Sequence, residues 1–247
     1  MQRYFLSYDP SDQVIIIEGD DAHHIRNVMR MKVGSTIYVS NNEVVHYAVI
    51  KGFTDQGVKC ELQYEVKENR ELPVNVTIAQ GMPKGNKFEL IIQKTTELGV
   101  SEIIPVLSER SIVKIDPKKE KRKIERYQKI AKEASEQSHR VKIPTITSFM
   151  SLEDFILYAE SFDYKVVAYE ATTEAERHNL YHVIKTLKPN DSLLVFIGPE
   201  GGISENELTL LKEHDFQIVS LGQRILRTET APIFVMSSVV YELEVKG

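Results

Sequence analysis

Two arginines three residues apart, Arg224 and Arg227, stand before Thr228, Glu229 and Thr230 in the segment LGQRILRTETA, Leu221–Ala231. About twenty residues earlier, Gly198–Gly202 reads GPEGG and carries one carboxylate, Glu200. A carboxylate suits proton removal, and a guanidinium suits stabilising the negative charge that removal leaves behind. Both segments begin at an apolar strand or its end, pass a glycine-containing loop and enter a helix. Sites in open α/β sheets lie at the carboxyl ends of strands, so two such loops in succession point to one shared pocket. Gly198, Gly201 and Gly202 allow close backbone approach to a ligand. The loop is nevertheless poor for phosphate: Pro199 has no N–H to offer, Glu200 repels anions, and neither GxGxxG nor GxxxxGK[ST] spacing is present. A neutral or cationic ligand fits better. The competing readings are a tight connection at GPEGG and, at the second loop, an Arg–Glu pair beside a helix capped by Thr230 with Pro232 in its first turn.

These loops need a frame, and the chain divides near Pro73. From Val74 onward, apolar strand segments alternate with amphipathic helical ones. Val74–Ala79, Ile103–Leu107, Val166–Tyr169, Leu193–Ile197 and Ile218–Leu221 read as strands. Phe88, Ile91, Ile92 and Leu98 mark one helix face, and Leu180, Val183, Ile184 and Leu187 mark another. A long basic helix runs from about Lys118 to Ser138. Ser151 caps a further helix, and Ser204 with Glu207 forms a capping box after GPEGG. The alternation predicts an α/β domain over 73–247 with a mostly parallel sheet covered on both faces. Residues 1–72 read instead as short β-branched strands, Val14–Glu18, Thr36–Ser40, Val44–Lys51 and Val58–Val66, with a helix at His23–Met31. That spacing predicts a small β-barrel. Arg26 and Arg30, four apart, would share a face of its helix. His23 and His24 read as structural, and Cys60 as a buried strand residue.

The 247-residue chain is 42% hydrophobic, enough for a sizeable core in one or two domains. Its single cysteine excludes an internal disulfide framework and a Cys-rich zinc site, and no metal is expected. No apolar stretch has the length of a membrane span, and Met1–Pro10 is too polar for a signal peptide, so a cytoplasmic location is expected. Net charge is −5, but its distribution is uneven. Residues 110–142 hold twelve Lys or Arg against five Asp or Glu, a local balance of +7; residues 143–247 hold eight against sixteen, a balance of −8. Such asymmetry points to a phosphate-binding face on an acidic protein, in preference to a merely solvated helix.

The two loops, together with KGNKFELIIQKTTELGVSEIIPVLSERSIV (Lys84–Val113) and EASEQSHR (Glu133–Arg140), closely resemble the bacterial 16S ribosomal RNA uridine-N3 methyltransferases of the SPOUT superfamily. HHIRNVMRMKVGSTIYV, His23–Val39, matches more loosely. Four separated motifs in the right order make the resemblance specific, and it extends over nearly the whole chain. It implies a PUA-like RNA-binding β-barrel domain over 1–72 and a SPOUT domain over 73–247 with a C-terminal trefoil knot. It also implies S-adenosylmethionine as cofactor, small-subunit ribosomal RNA or the 30S subunit as partner, and a homodimer made through the knotted domain. In the last helix Val235, Met236, Val239, Val240 and Leu243 exceed what one face needs.

Under that reading the cofactor would lie against Tyr169, Glu170, Ala171, Ile197, Gly198, Pro199, Gly201, Gly202, Leu221, Gly222, Ile225 and Leu226. Glu200 and Glu229 are the candidate bases, and Arg227 the cation for the uracil carbonyls. Arg26, Arg30, Lys84, Lys87, Arg110, Arg140 and Arg224 would meet RNA. Gln137, Ser138 and His139 would face the pocket or simply end the basic helix. A non-enzymatic RNA-binding protein, a SPOUT enzyme acting on another RNA, and an α/β nucleotide-binding enzyme remain as alternatives.

Overall fold

The computed structural model describes residues 1–67, 69–113, 115–170 and 178–246. The chain forms two compact units, Met1–Glu71 with Ser135–Ile143, and Leu72–Ala134 with Pro144–Gly247.

The first unit contains β1 (Arg3–Phe5), β2 (Val14–Ile17), α1 (Gly19–His23), β3 (Thr36–Ser40), β4 (Val45–Phe53) and β5 (Val58–Glu65). They make one curled five-stranded sheet, ordered β1-β3-β4-β5-β2. β1 lies parallel to β3, and the other pairs are antiparallel. Period-two alternation decides what is buried: Ile15 and Ile17 point inward while Val14 and Ile16 face out. Ile25, Ile37, Val39, Ile50, Val58 and Cys60 complete the core. His24 Nδ1 lies 3.0 Å from the Tyr4 hydroxyl, a structural role.

Three features depart from expectation. β1 has only three residues, too few for a pattern to show. The helix begins at Gly19 rather than His23 and passes into a π-helical turn at His24–Val28. Arg30 then adopts φ 51°, so Arg26 and Arg30 do not share a helix face. The segment Ser135–Ile143 also belongs to this unit. The Arg3 guanidinium donates to the carbonyls of His139 and Arg140, the latter at 2.7 Å, and Ser40 Oγ donates to the Val141 carbonyl at 2.7 Å.

The second unit contains β6 (Asn75–Gly81), α2 (Lys87–Glu97), β7 (Glu102–Leu107), α3 (Pro117–Gln137, its last three residues in the first unit), β8 (Thr145–Ile146) and β9 (Met150–Ser151). It continues through α4 (Leu152–Ala159), β10 (Tyr164–Ala168), β11 (His178–Asn179), α5 (Leu180–Thr186), β12 (Ser192–Ile197), α6 (Glu205–Glu213), β13 (Gln217–Ser220) and α7 (Thr230–Val240). The sheet order is β11-β13-β10-β12-β6-β7-β8, with β9 also on β7, and every pairing is parallel. The central strands are buried on both faces, as a parallel sheet requires: β12 is buried from Leu193 to Ile197. Register then sets the site. Ala168 pairs with Ile197 on one side and Val219 on the other, so β10, β12 and β13 end level and release their loops side by side. Among the described residues no helix is long and apolar enough to cross a membrane.

Candidate active site

The three strand-end loops enclose a cavity of about 1040 Å³ in the second unit. β10 contributes Ala168, Tyr169 and Glu170. The loop after β12 contributes Ile197, Gly198, Pro199, Glu200, Gly202 and Ile203. The loop after β13 contributes Ser220, Leu221 and Gly222, then Arg224, Ile225, Leu226, Arg227, Thr228 and Glu229, with Ala231 beyond; Lys87 and Arg110 close the rim.

The GPEGG loop keeps its shape because side chains are missing where neighbours press in. A Cβ on Gly198 would stand 2.8 Å from Ile203 Cγ1, and Gly202 holds a φ of +73° that L residues rarely adopt. α6 then starts on its capping box: Ser204 Oγ accepts from the Glu207 N–H at 3.2 Å, and Glu207 Oε2 accepts from the Ser204 N–H at 2.8 Å. Glu207 also accepts from the Glu109 N–H at 2.7 Å, while Ser204 Oγ donates to Glu109 at 2.6 Å. The far end of the loop is thereby tied to the segment after β7.

One ammonium joins the two carboxylates of the site. Lys87 Nζ lies 2.9 Å from Glu200 Oε1 and 3.3 Å from Glu229 Oε2. Glu200 also accepts the Lys84 N–H at 3.1 Å. Burial alone would raise the Glu200 pKa; hydrogen bonds from Lys87, its own backbone and Lys84 outweigh burial and hold it below the ordinary carboxylate value. Lys87 is raised, first through its hydrogen bond to Glu200. Glu200 is therefore ionised and a weak base, and Lys87 stays cationic. Arg227 differs: it lines the cavity, is exposed, and its guanidinium has no hydrogen bond or ion pair among the described residues. The Arg227–Glu229 pair that would make this arginine a strut is not formed, because Glu229 is held by Lys87.

Ten of the expected cofactor residues that the structure describes line the cavity; Gly201 does not. Its α-carbon faces Arg110, whose Cβ would be 2.9 Å from an added Cβ. Ala171 lies outside the described residues. The expected RNA-binding set is scattered. Arg224 and Arg110 line the cavity, Arg110 also donating to the Gly201 carbonyl at 3.2 Å. Lys84 is exposed off the cavity wall, and Lys87 is engaged by two carboxylates rather than open to phosphate. Arg26 donates to the Gly57 carbonyl at 2.6 Å and lies 5.5 Å from the Phe53 ring centroid, and Arg30 follows in the left-handed turn.

Arg140 requires correction. It is 4% exposed, with Nε 3.1 Å from Glu71 Oε2, and Glu71 also accepts from the Val141 and Lys142 N–H groups. A buried ion pair of this kind positions a chain segment and offers no open face to RNA. Gln137, Ser138 and His139 fall in the first unit and do not line the cavity; His139 meets the Tyr38 ring edge-on at 6.3 Å. Ala168, Ile203, Ser220, Thr228 and Ala231 also line it, beyond the residues to which the sequence points. Thr228 alone carried a signal, being the polar residue between Arg227 and Glu229.

Comparison with known proteins agrees with this geometry. Residues 70–240 match the RNA methyltransferase domain family and residues 17–63 the RNA methyltransferase PUA domain family. The chain is 41% identical to ribosomal RNA small subunit methyltransferase E of Bacillus subtilis, covering 99% of this chain and 98% of that protein. The crystal structure of a ribosomal RNA small subunit methyltransferase E from Neisseria gonorrhoeae, bound to S-adenosyl methionine, superposes with a TM-score of 0.85 at 27% identity over 98% of both chains. A Legionella pneumophila methyltransferase in complex with the same cofactor gives a TM-score of 0.85 at 30% identity, over 98% of this chain and 96% of that one. With its level strand-end loops, its glycine-lined cavity and these relatives, the chain belongs to the ribosomal RNA small subunit methyltransferase E family.

Proposed function

We propose that this chain transfers a methyl group from S-adenosylmethionine to N3 of a uridine in 16S ribosomal RNA, and that the cavity after β10, β12 and β13 is where it does so. The observation that carries the reading is the composition of the cavity wall. Ile197, Leu221 and Leu226 offer an apolar slot, and the glycines of two loops offer backbone. Glu170 and Glu200 offer negative charge to a cation, and Pro199 withholds an N–H from an anion. These residues fit a ligand with an apolar heteroaromatic edge and a positive centre better than a nucleoside triphosphate. S-adenosylmethionine, when bound, supplies an electrophilic methyl on a sulfonium and leaves as the neutral thioether.

The N3–methyl bond forms as the sulfur–methyl bond breaks, and the N3 proton must depart. As it departs, negative charge spreads onto the uracil carbonyls, and the Arg227 guanidinium on the cavity wall would receive it. Glu200, held ionised by Lys87, contributes charge rather than basicity. Glu229 meets the same ammonium at the longer distance of 3.3 Å, and it is the carboxylate assigned here to take the proton. The cavity aligns donor and acceptor, which supplies much of the rate.

Substrate RNA would pass over Arg110 and Arg224 at the rim and along Lys118, Lys119, Lys121 and Arg122, which are exposed on α3 and form no ion pair among the described residues. The homodimer is supported by α7. Val235, Met236 and Val239 are buried within the unit, while Phe234, Tyr241 and Val245 remain 42%, 58% and 66% exposed. Those three, rather than the wholly apolar set, are the surface a second copy would cover. The trefoil knot is supported by the return path, in which the chain reaches β13 beyond β10 and α7 packs back on α2.

Calorimetric titration with S-adenosylmethionine and with ATP tests the reading. The cofactor should bind and ATP should not. Gly202→Asn, which tolerates a left-handed backbone but adds a side chain to the wall, should abolish cofactor binding. ATP binding, or unchanged cofactor affinity in folded Gly202→Asn, contradicts it.

A further inference from the structure

Gln80 is the last residue but one of β6 and is fully buried, in a strand buried from Val76 to Gly81. Its amide does not face solvent or lie on the cavity wall. Nε2 sits 3.0 Å from the Gly81 carbonyl, 3.3 Å from those of Ile197 and Gly198, and 2.9 Å from Thr228 Oγ1. Thr228, 8% exposed, in turn donates its hydroxyl proton to the Gly198 carbonyl at 2.7 Å. One amide and one hydroxyl thus join three strand ends: β6, the first turn after β12, and the loop after β13. Packing closes the same joint, since an added Cβ on Gly81 would lie 2.5 Å from Pro199 Cδ.

We propose that Gln80 and Thr228 are positioning residues for the cofactor, a buried amide–hydroxyl brace that fixes the two glycine-containing loops at their working separation before the cofactor arrives. The chemistry supports a brace over a simple core contact. A buried amide is costly unless it is hydrogen-bonded, and here its N–H groups reach the Ile197 and Gly198 carbonyls and the Thr228 hydroxyl as well as the Gly81 carbonyl of its own strand. Two loops emerging from different strands have no hydrogen-bond ladder to hold them together once the strands end. Without the brace each would order only on binding, and that ordering cost would be subtracted from affinity. Thr228 is suited to the joint because one hydroxyl can accept from Gln80 while donating to Gly198.

This inference rests on the cavity being the cofactor site, and the experiment separates the two claims. S-adenosylmethionine affinity is measured calorimetrically for wild type, Gln80→Met, Thr228→Val, Thr228→Ser and Gly202→Asn, with thermal melting of each. Gln80→Met and Thr228→Val preserve shape and remove the polar atoms. Each should weaken cofactor binding about tenfold, the order expected for losing a buried hydrogen bond that leaves its partners unpaired. The KM for cofactor should rise more than kcat falls. Thr228→Ser, which keeps the hydroxyl, should bind within about twofold of wild type. The double variant Gln80→Met/Thr228→Val should be little worse than either single one, because the two residues act as one unit. Should Gln80→Met fail to fold, the Val and Ser variants at position 228 decide the matter alone. Equal affinity for Thr228→Val and Thr228→Ser overturns the brace, provided Gly202→Asn has lost binding. If Gly202→Asn also binds normally, the cavity assignment falls and the brace with it.

Discussion

At the scale of single residues, the cavity holds two kinds of charge: groups paired with a neighbour and groups, Arg227 among them, that have no partner among the described residues. Glu200 and Glu229 share Lys87, whereas Arg227 faces the cavity uncommitted among the described residues. A cation with no ground-state partner gives most when substrate charge develops, so Arg227→Ala should slow single-turnover methylation by about 10²–10³-fold while cofactor affinity stays within a few-fold. Arg227→Lys should recover only part of the rate, because an ammonium lacks the planar fork. Joint loss of cofactor affinity and melting temperature, with normal turnover at saturation, would make Arg227 a strut.

Glu200 gives a pH prediction with a definite sign. Its folded pKa lies below the ordinary value, so its contribution is complete at neutral pH and is lost only as pH falls through that lowered value. Cofactor affinity should therefore persist into mildly acidic solution. Lys87→Gln removes the partner that lowers the pKa, so the acid-side loss of affinity should move to higher pH. An unmoved acid limb would separate Glu200 from the cofactor.

At the scale of elements, caps and charge faces make the testable claims. Ser204 holds the start of α6 and, through Glu109, the segment after β7. Ser204→Ala should cost about 1 kcal/mol of stability or more, read by chemical denaturation, because the cap and a carboxylate lose their partner together. A cost near zero would mean that α6 starts without it. On α3, reversing charge at Lys118, Lys119, Lys121, Arg122 and Lys123 should weaken RNA binding and flatten its dependence on salt, with cofactor affinity unchanged. An unaltered salt slope would make that run a solvated face.

Elements were legible where their signals are local. β12, its glycine loop and α6 follow one another as an apolar run, a turn and a capping box within about twenty residues. β1 was not legible, because RYF is too short to show a period. α7 starts one position before the point that a Thr230 cap predicts: the Arg227 carbonyl accepts from the N–H groups of both Thr230 and Ala231, so the residue before the helix is Glu229. Arg140, expected to meet RNA, pairs instead with Glu71, which is 69 residues away in sequence and beyond any local pattern. The pocket's loops could be named from the sequence, but Gln80 could not, since a lone glutamine in a strand does not disclose which carbonyls it will reach.

At the scale of the whole molecule, composition and assembly carry the remaining expectations. A net charge of −5 conceals the +7 stretch at 110–142, and only the local value bears on RNA. Sedimentation at micromolar concentration should show a dimer, and Phe234→Asp with Tyr241→Asp should shift it toward monomer; a monomer for the unaltered chain would contradict the dimer. The central claim is methyl transfer to a uridine N3 of 16S ribosomal RNA, and its most direct measurement is mass-spectrometric nucleoside analysis. Small subunits and free 16S RNA that lack the modification are incubated with the protein and isotopically labelled S-adenosylmethionine, then digested. Labelled 3-methyluridine from one position, absent with Arg227→Ala under single-turnover timing, is the expected result. Label appearing on a different base or atom, or no label with cofactor-bound, folded protein on either substrate, would contradict it.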